Sequence, residues 1–361
     1  MKLQKVLLAG IIILIASALQ AQSVTEKRIY RKSLPFSNGS RIEIKNKYGN
    51  VMITTWNKDS AYIRAELEAF APDKSKIEKM LDGININITG TSSLVRAETE
   101  FNREITVLFE SFKGLTKKII DYDSRVCINY FVNLPANADV NIENQFGDIS
   151  IENNSGILSV NLSNGDFKAN SLNRIAELSM NFGEAEIGTV RSGKISTTFS
   201  EFVINNSEDL TINSTSARFE LKKAGKLNVE SHRDKFFIGT IDNLSGASYF
   251  THFRIDRLTT ATDITLKYGS LDAGGIDNSF ERISLNSVYS DITLSFVPSA
   301  SYEFEIRHTN AFVGVPDKNS RSKKEALNED KKEYLTTGTT GTNPGSRKVR
   351  IDASRGNIFL K

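Results

Sequence analysis

The chain has 361 residues, with 46 Lys and Arg against 43 Asp and Glu and a formal charge of +3. That length can bury a large core, and so small a net charge excludes a strong global field drawing in nucleic acid or anionic membrane. The single cysteine, Cys127, excludes an intramolecular disulfide and leaves stability to packing.

Met1-Lys2-Leu3-Gln4-Lys5 is followed by an apolar run from Val6 to Leu19 and by small residues at Ala16-Ser17-Ala18 and Gln20-Ala21-Gln22. A basic start, a short apolar stretch and small residues after it have the layout of a secretory leader, and the run is short for a membrane span. Residues 1–21 are expected to be the leader, cut after Ala21, with Ala18 as the alternative. No cysteine stands there to carry a lipid, and no second long apolar run follows. The mature chain is therefore expected to be exported, to the periplasm or the cell surface, and to have no membrane span.

Arg41 to Tyr48 alternates with period two, which places Ile42, Ile44, Asn46 and Tyr48 on one face of a strand. Val51 and Ile53 continue it after a Tyr-Gly bend. Ala61–Ala71 is a second alternating strand. Asp73–Leu81 carries a helical pattern, with Ile77, Met80 and Leu81 on one side and Gly83 as a stop. Strands are then predicted at Ile84–Ile88, Leu94–Thr99, Glu104–Glu110 and Arg125–Asn133. Residues 22–136 thus read as one strand rung and a β-rich cap with a short helix, covering an end that would otherwise expose unpaired edges.

From residue 137 to 316 a short phrase recurs. It reads Asn-Lys-Tyr-Gly-Asn-Val-Met-Ile at Asn46–Ile53 and Asn-Gln-Phe-Gly-Asp-Ile-Ser-Ile at Asn144–Ile151. It returns around Asn164, Phe182, Phe199, Ser216 and Arg233, in steps of 17 or 18 residues, and more loosely at Phe253, Tyr268 and Tyr289. A fixed short period with strand-like content marks a repeat architecture. The expected fold is all-β, a right-handed parallel β-helix-like solenoid. Each coil supplies inward pairs such as Leu210/Ile212 before the bend and Phe202/Ile204, Phe219/Leu221 or Phe236/Ile238 after it. Strict alternation also turns the bend aromatics inward, so that Phe182 piles on Phe199 and Tyr268 on Tyr289 inside the core. The same parity turns Asn144, Thr197, Ser214, Ser231, Thr251 and Ser287 inward, as a polar ladder for the turning backbone. Residues 317–347, rich in Lys, Thr and Gly, read as a flexible charged loop, and 348–361 as a terminal strand rung.

The phrases Asn46-Lys47-Tyr48-Gly49-Asn50-Val51 and Asn144-Gln145-Phe146-Gly147-Asp148-Ile149, the later Tyr-Gly and Tyr-Ser copies, and the lead-in Val132-Asn133-Leu134-Pro135-Ala136-Asn137-Ala138 carry a resemblance. The chain resembles the bacterial adhesin-like β-repeat family, exported proteins labelled adhesins and mostly of unknown function. The likeness covers most of the mature chain. It implies a parallel β-helix-like fold and a cell-envelope setting, and it brings no functional residues with it.

Signatures of catalysis are sparse. Gly188-Thr-Val-Arg-Ser-Gly193-Lys194 nearly matches a phosphate-binding loop, but Ile195 stands where a Mg²⁺-binding hydroxyl is required and a strand follows where a helix is needed. His232 and His252 read as equivalent outward positions in neighbouring coils. Two imidazoles without a third ligand make a weak metal site, so neither a metal nor a cofactor is expected. The sharpest constellation is acidic: Asp148, Asp166, Glu184 and Glu201 fill one repeat position in four successive coils, about 5 Å apart if the register holds. Such a column suits a cation or a sugar, or it is a solvated turn edge. Equivalent carboxylates do not make an acid and a base, which require different environments. The expectation is a non-enzymatic structural or ligand-binding module whose partner is an extended glycan or an envelope protein. The rival is a polysaccharide-cleaving enzyme that uses these surface carboxylates.

Overall fold

The computed structural model describes residues 24–37, 39–103, 105 and 125–361. The expected leader lies outside the described residues, as does nearly all of the strand expected at Glu104–Glu110. Among the described residues the chain is all-β, with twenty strands and one complete helix, α1 (Lys74–Asp82). That helix follows the expected pattern. Asp73 caps it by accepting from the Lys76 N–H, Ile77, Met80 and Leu81 are buried, and Gly83 ends it.

Strands β2 (Arg41–Lys47) and β3 (Val51–Trp56) form the first rung. Residues 57–136 leave it and return with β4 (Ser60–Ala71), β5 (Ile84–Gly90), β6 (Leu94–Phe101) and β7 (Arg125–Pro135). β6 lies parallel on β2, and β7 lies parallel on β3. β1 (Val24–Pro35) and β7 flank β4 antiparallel on either side. Cys127, on β7, is partly buried, and burial pushes its thiol pKa up. On the other side of the first rung, β8 (Asp139–Gln145) and β9 (Ile149–Ser163) pair parallel with β2 and β3. From there the chain climbs in parallel, through β10 (Phe167–Thr215), β11 (Arg218–His232), β12 (Lys235–Tyr249) and β13 (His252–Lys267). Each segment pairs with one 17 or 18 residues on, as in Phe202↔Phe219, Phe219↔Phe236 and Phe236↔Phe253.

The bends explain where sequence parity fails. Tyr48, Phe146, Asn164, Phe182, Phe199, Ser216, Arg233, Phe250, Tyr268 and Tyr289 all have left-handed backbones, with φ between 52° and 65°. A left-handed residue breaks the two-residue alternation, so the side chain two before it and the one just after it both point inward. The polar ladder is buried as expected at Asn144, Thr197, Ser214, Ser231, Thr251 and Ser287. The bend aromatics, expected inside, are instead outside. Phe182 and Phe199 are 55% and 57% exposed, stacked on each other at 5.4 Å. The buried aromatic column lies three residues further on, at Phe202, Phe219, Phe236 and Phe253, with centroids 4.8–5.0 Å apart.

At its far end the stack departs from sequence order. β20 (Lys348–Leu360), expected as a terminal rung, is sandwiched. It pairs parallel with β15 (Arg282–Val288) and β16 (Asp291–Phe296) on one side and with β17 (Tyr302–Gly314) on the other. The residues expected as a flexible loop, 317–347, contain the hairpin β18 (Ser320–Asn328) and β19 (Glu333–Thr340), with β19 antiparallel on β17. β18 is exposed along most of its length, so no apolar period marked it as a strand. Its run of Lys and Arg blunts an open sheet edge.

Candidate functional site

The acid column exists in register, and its first members are committed to the backbone. The Asp148 N–H donates to Asn50 Oδ1 (2.8 Å), the Asp166 N–H to Asp148 Oδ1 (2.9 Å) and the Glu184 N–H to Asp166 Oδ1 (2.8 Å). The Asn50 N–H donates to Asn129 Oδ1 in the same way. A short Asp or Asn at this position therefore reaches the amide of the next rung, just after its bend. The longer Glu184 and Glu201 do not extend the ladder. They face a shallow groove of about 670 Å³ shared with Phe199, Arg218, Arg233 and Lys235. Among the described residues, no group of three or more His, Cys, Asp or Glu side chains is placed to hold a metal ion.

This geometry sets an expectation for the column. Asp166→Ala should cost about 0.5–2 kcal/mol, the range of a lost side-chain cap. Asp166→Asn, which keeps the accepting oxygen, should cost less, and Glu184→Gln should stay within about 0.5 kcal/mol. Millimolar Ca²⁺ should leave the melting temperature unchanged. Denaturant melts and calorimetry check this, and a saturable rise with Ca²⁺ that Asp166→Asn abolishes would refute it.

His232 and His252 are not equivalent. His232 pairs in register with Tyr249, whereas His252 pairs with Lys235. The cause is a phase slip of three residues: the bend of that rung is at Phe250, not Phe253. His252 Nδ1 bonds Ser270 Oγ (2.9 Å), and the His232 ring stacks on Tyr249 at 5.3 Å.

A second surface escaped the sequence reading. The strand before each bend turns two side chains outward, one and three positions ahead of the left-handed residue. Nearest the bend these are Asn181, Thr198, Thr215, His232, Tyr249 and Lys267. One step further out are Ser179, Ser196, Asn213, Glu230, Ala247 and Thr265. Register fixes the columns: Asn213↔Glu230↔Ala247↔Thr265 and Thr215↔His232↔Tyr249↔Lys267. Together they line an open groove of about 660 Å³ across successive rungs. The Thr198 hydroxyl donates to Asn181 Oδ1 within it. The groove adjoins an exposed aromatic edge. Tyr249 packs edge-on against Phe250 (4.6 Å) and Tyr268 (5.4 Å), Phe250 stacks on Tyr268 (5.1 Å), and Tyr268 stacks on Tyr289 (5.2 Å). Arg355 lies over the Tyr289 ring at 4.6 Å. The signal was present in the sequence as Ser-Met-Asn, Ser-Thr-Thr and Asn-Ser-Thr at one repeat phase, but only the inward middle residue of each was weighed.

No protein-family model matches the sequence, and no curated protein matches it. Similar solved structures are proteins provisionally assigned to adhesion. One is a cell adhesion protein of Clostridium sporogenes ATCC 15579, 10% identical, covering 94% of this chain and 100% of that one, with a TM-score of 0.18. Another is an adhesin of Parabacteroides distasonis ATCC 8503, 12% identical over 75% of this chain and 97% of that one, with a TM-score of 0.33. A third is an adhesin of Parabacteroides merdae ATCC 43184, 10% identical over 75% and 96%, with a TM-score of 0.32.

Proposed function

We propose that the chain is an exported, non-enzymatic module of the cell envelope, built as a right-handed parallel β-helix-like solenoid and acting by binding or scaffolding through its flat outer faces. One observation carries the reading: outward side chains recur in register over many rungs, as polar columns beside an exposed aromatic edge. Repetition of one chemistry along a line suits contact with an extended partner. It does not suit a reaction centre, which needs a few unlike groups converging on one point.

The carboxylates of the acid column support the same reading. Asp148 and Asp166 sit in equivalent surroundings, each accepting a backbone N–H. Neither is set apart as proton donor or acceptor, as a glycosidase pair must be. The test has two arms. The purified protein should cosediment with isolated bacterial envelopes, and it should release no new reducing ends from a panel of polysaccharides. Turnover that Asp166→Asn or Glu184→Gln abolishes overturns the reading.

A further inference from the structure

We propose that the groove over the rungs from Ser179 to Lys267 binds an uncharged, extended glycan, with the Tyr249 ring as its stacking platform. This rests on the reading of the chain as a non-enzymatic binding module and adds a site and a ligand class to it.

The first argument is charge. A quarter of the chain is Asp, Glu, Lys or Arg, yet the ionisable groups lining this groove are only Glu230, His232 and Lys267 besides the Tyr249 phenol. The rest of the lining is mainly Ser, Thr and Asn, which present hydroxyls and amides able to donate and accept. Nucleic acid and acidic polymers require a cationic track, and none runs here. An uncharged polyhydroxylated ligand matches both the lack of charge and the alternating donors and acceptors.

The second argument is the backbone. The strands under the groove are paired in parallel on both sides, so the groove is a sheet face and not an edge. An extended peptide laid on it finds no strand to join, and its own N–H and C=O groups stay unpaired by the sheet. A glycan carries no such ladder and can rest on side chains alone.

The third argument is the aromatic rim. Tyr249 is 37% exposed and lines the groove, yet its ring is braced by His232, Phe250 and Tyr268. A braced ring loses little entropy on binding. Its electron-rich face meets the weakly positive C–H face of a pyranose ring. The six rungs that line the groove span about 24 Å at the strand spacing, room for several sugar units lying across the strands.

Affinity electrophoresis tests the site with soluble mannan, xylan, β-glucan and dextran as uncharged probes, and with alginate and heparin as anionic ones. At least one uncharged polymer should retard the full-length protein, with little dependence on salt. Tyr249→Ala should weaken that binding about tenfold, the loss of one aromatic contact. Tyr268→Ala, at the rim, should weaken it less. Phe312→Ala, an exposed ring outside the groove, should leave it unchanged, and melting curves report whether each variant is folded. Retardation by none of the uncharged polymers overturns the proposal. So does salt-sensitive retardation by the anionic ones alone, or wild-type binding by both Tyr249→Ala and Tyr268→Ala. Binding to isolated envelopes that survives Tyr249→Ala refutes this site and leaves the binding-module reading standing. Release of reducing ends refutes that reading itself.

Discussion

Phe219→Ala should destabilise the protein by about 3–5 kcal/mol, the usual cost of emptying a buried phenylalanine site. Its ring is fully buried between Phe202 at 5.0 Å and Phe236 at 4.8 Å. Removing it takes away the middle of a four-ring column, and the rungs above and below cannot close the gap, because their separation is fixed by the backbone ladder at Phe202↔Phe219↔Phe236. Phe182→Ala serves as the comparison. That ring is more than half exposed, so its loss should cost about 1 kcal/mol or less, mostly the stack on Phe199. Urea melts of the two variants measure the difference. Equal losses would show that the bend aromatics are held in the core after all. In a stack of rungs, cooperativity can break near a weakened unit, so a broadened or split transition for Phe219→Ala is part of the expected result.

That contrast marks how far the sequence was legible. The 17- and 18-residue steps, the inward aliphatic pairs and the buried polar residues ahead of the bends follow from side-chain period alone, because a strand with one buried face must alternate. Helix α1 follows from Asp73, Gly83 and one apolar side. The aromatic positions did not follow, because alternation was carried unbroken through a residue whose backbone is left-handed. Aromatic residues rarely adopt that conformation, so nothing in Phe182 or Phe199 announced it, although the glycine after several bend residues hints at unusual crowding. At Gly165 a side chain would lie 2.1 Å from the Gly147 carbonyl oxygen of the rung below.

The site divides in the same way. The acid column was visible as a repeat position, but its use was not. The clue was chemical: the early members are Asn50, Asp148 and Asp166, all short enough to reach the next amide, and length matters for a backbone acceptor and not for a surface charge. The groove was missed because its residues are small, polar and individually unremarkable. They gain meaning only when rungs stack and columns form. The C-terminal interleaving was beyond reach of the sequence, since alternation in 348–361 says that the strand is buried on one face and nothing about which neighbours flank it.

Asp234→Ala should cost about 2–4 kcal/mol, because it strips the acceptor from several buried donors at once. Asp234 is 1% exposed and stands just after a bend, where other rungs carry Gly, Ser, Ala or Thr. Its Oδ2 accepts from Ser214 Oγ (2.7 Å), Ser231 Oγ (2.6 Å) and the His232 N–H (3.1 Å), and its Oδ1 accepts from the Ala217 N–H (2.7 Å). Its own N–H donates to Thr251 Oγ1 (3.3 Å). Four donors on one carboxylate explain how a carboxylate is tolerated inside the stack. Alanine leaves two backbone N–H groups unpaired, while the serine hydroxyls can rotate toward other acceptors. Asp234→Asn is not the mild change its shape suggests. Its amide has one accepting oxygen, and its NH₂ group would face a donor, so it should lose at least about 1 kcal/mol, unlike Asp166→Asn on the surface. Urea melts of Asp234→Ala, Asp234→Asn and Asp166→Asn decide the matter. A loss below about 1 kcal/mol for Asp234→Ala would mean that water enters and satisfies the freed amides, and the carboxylate would then have no structural role in joining these three rungs.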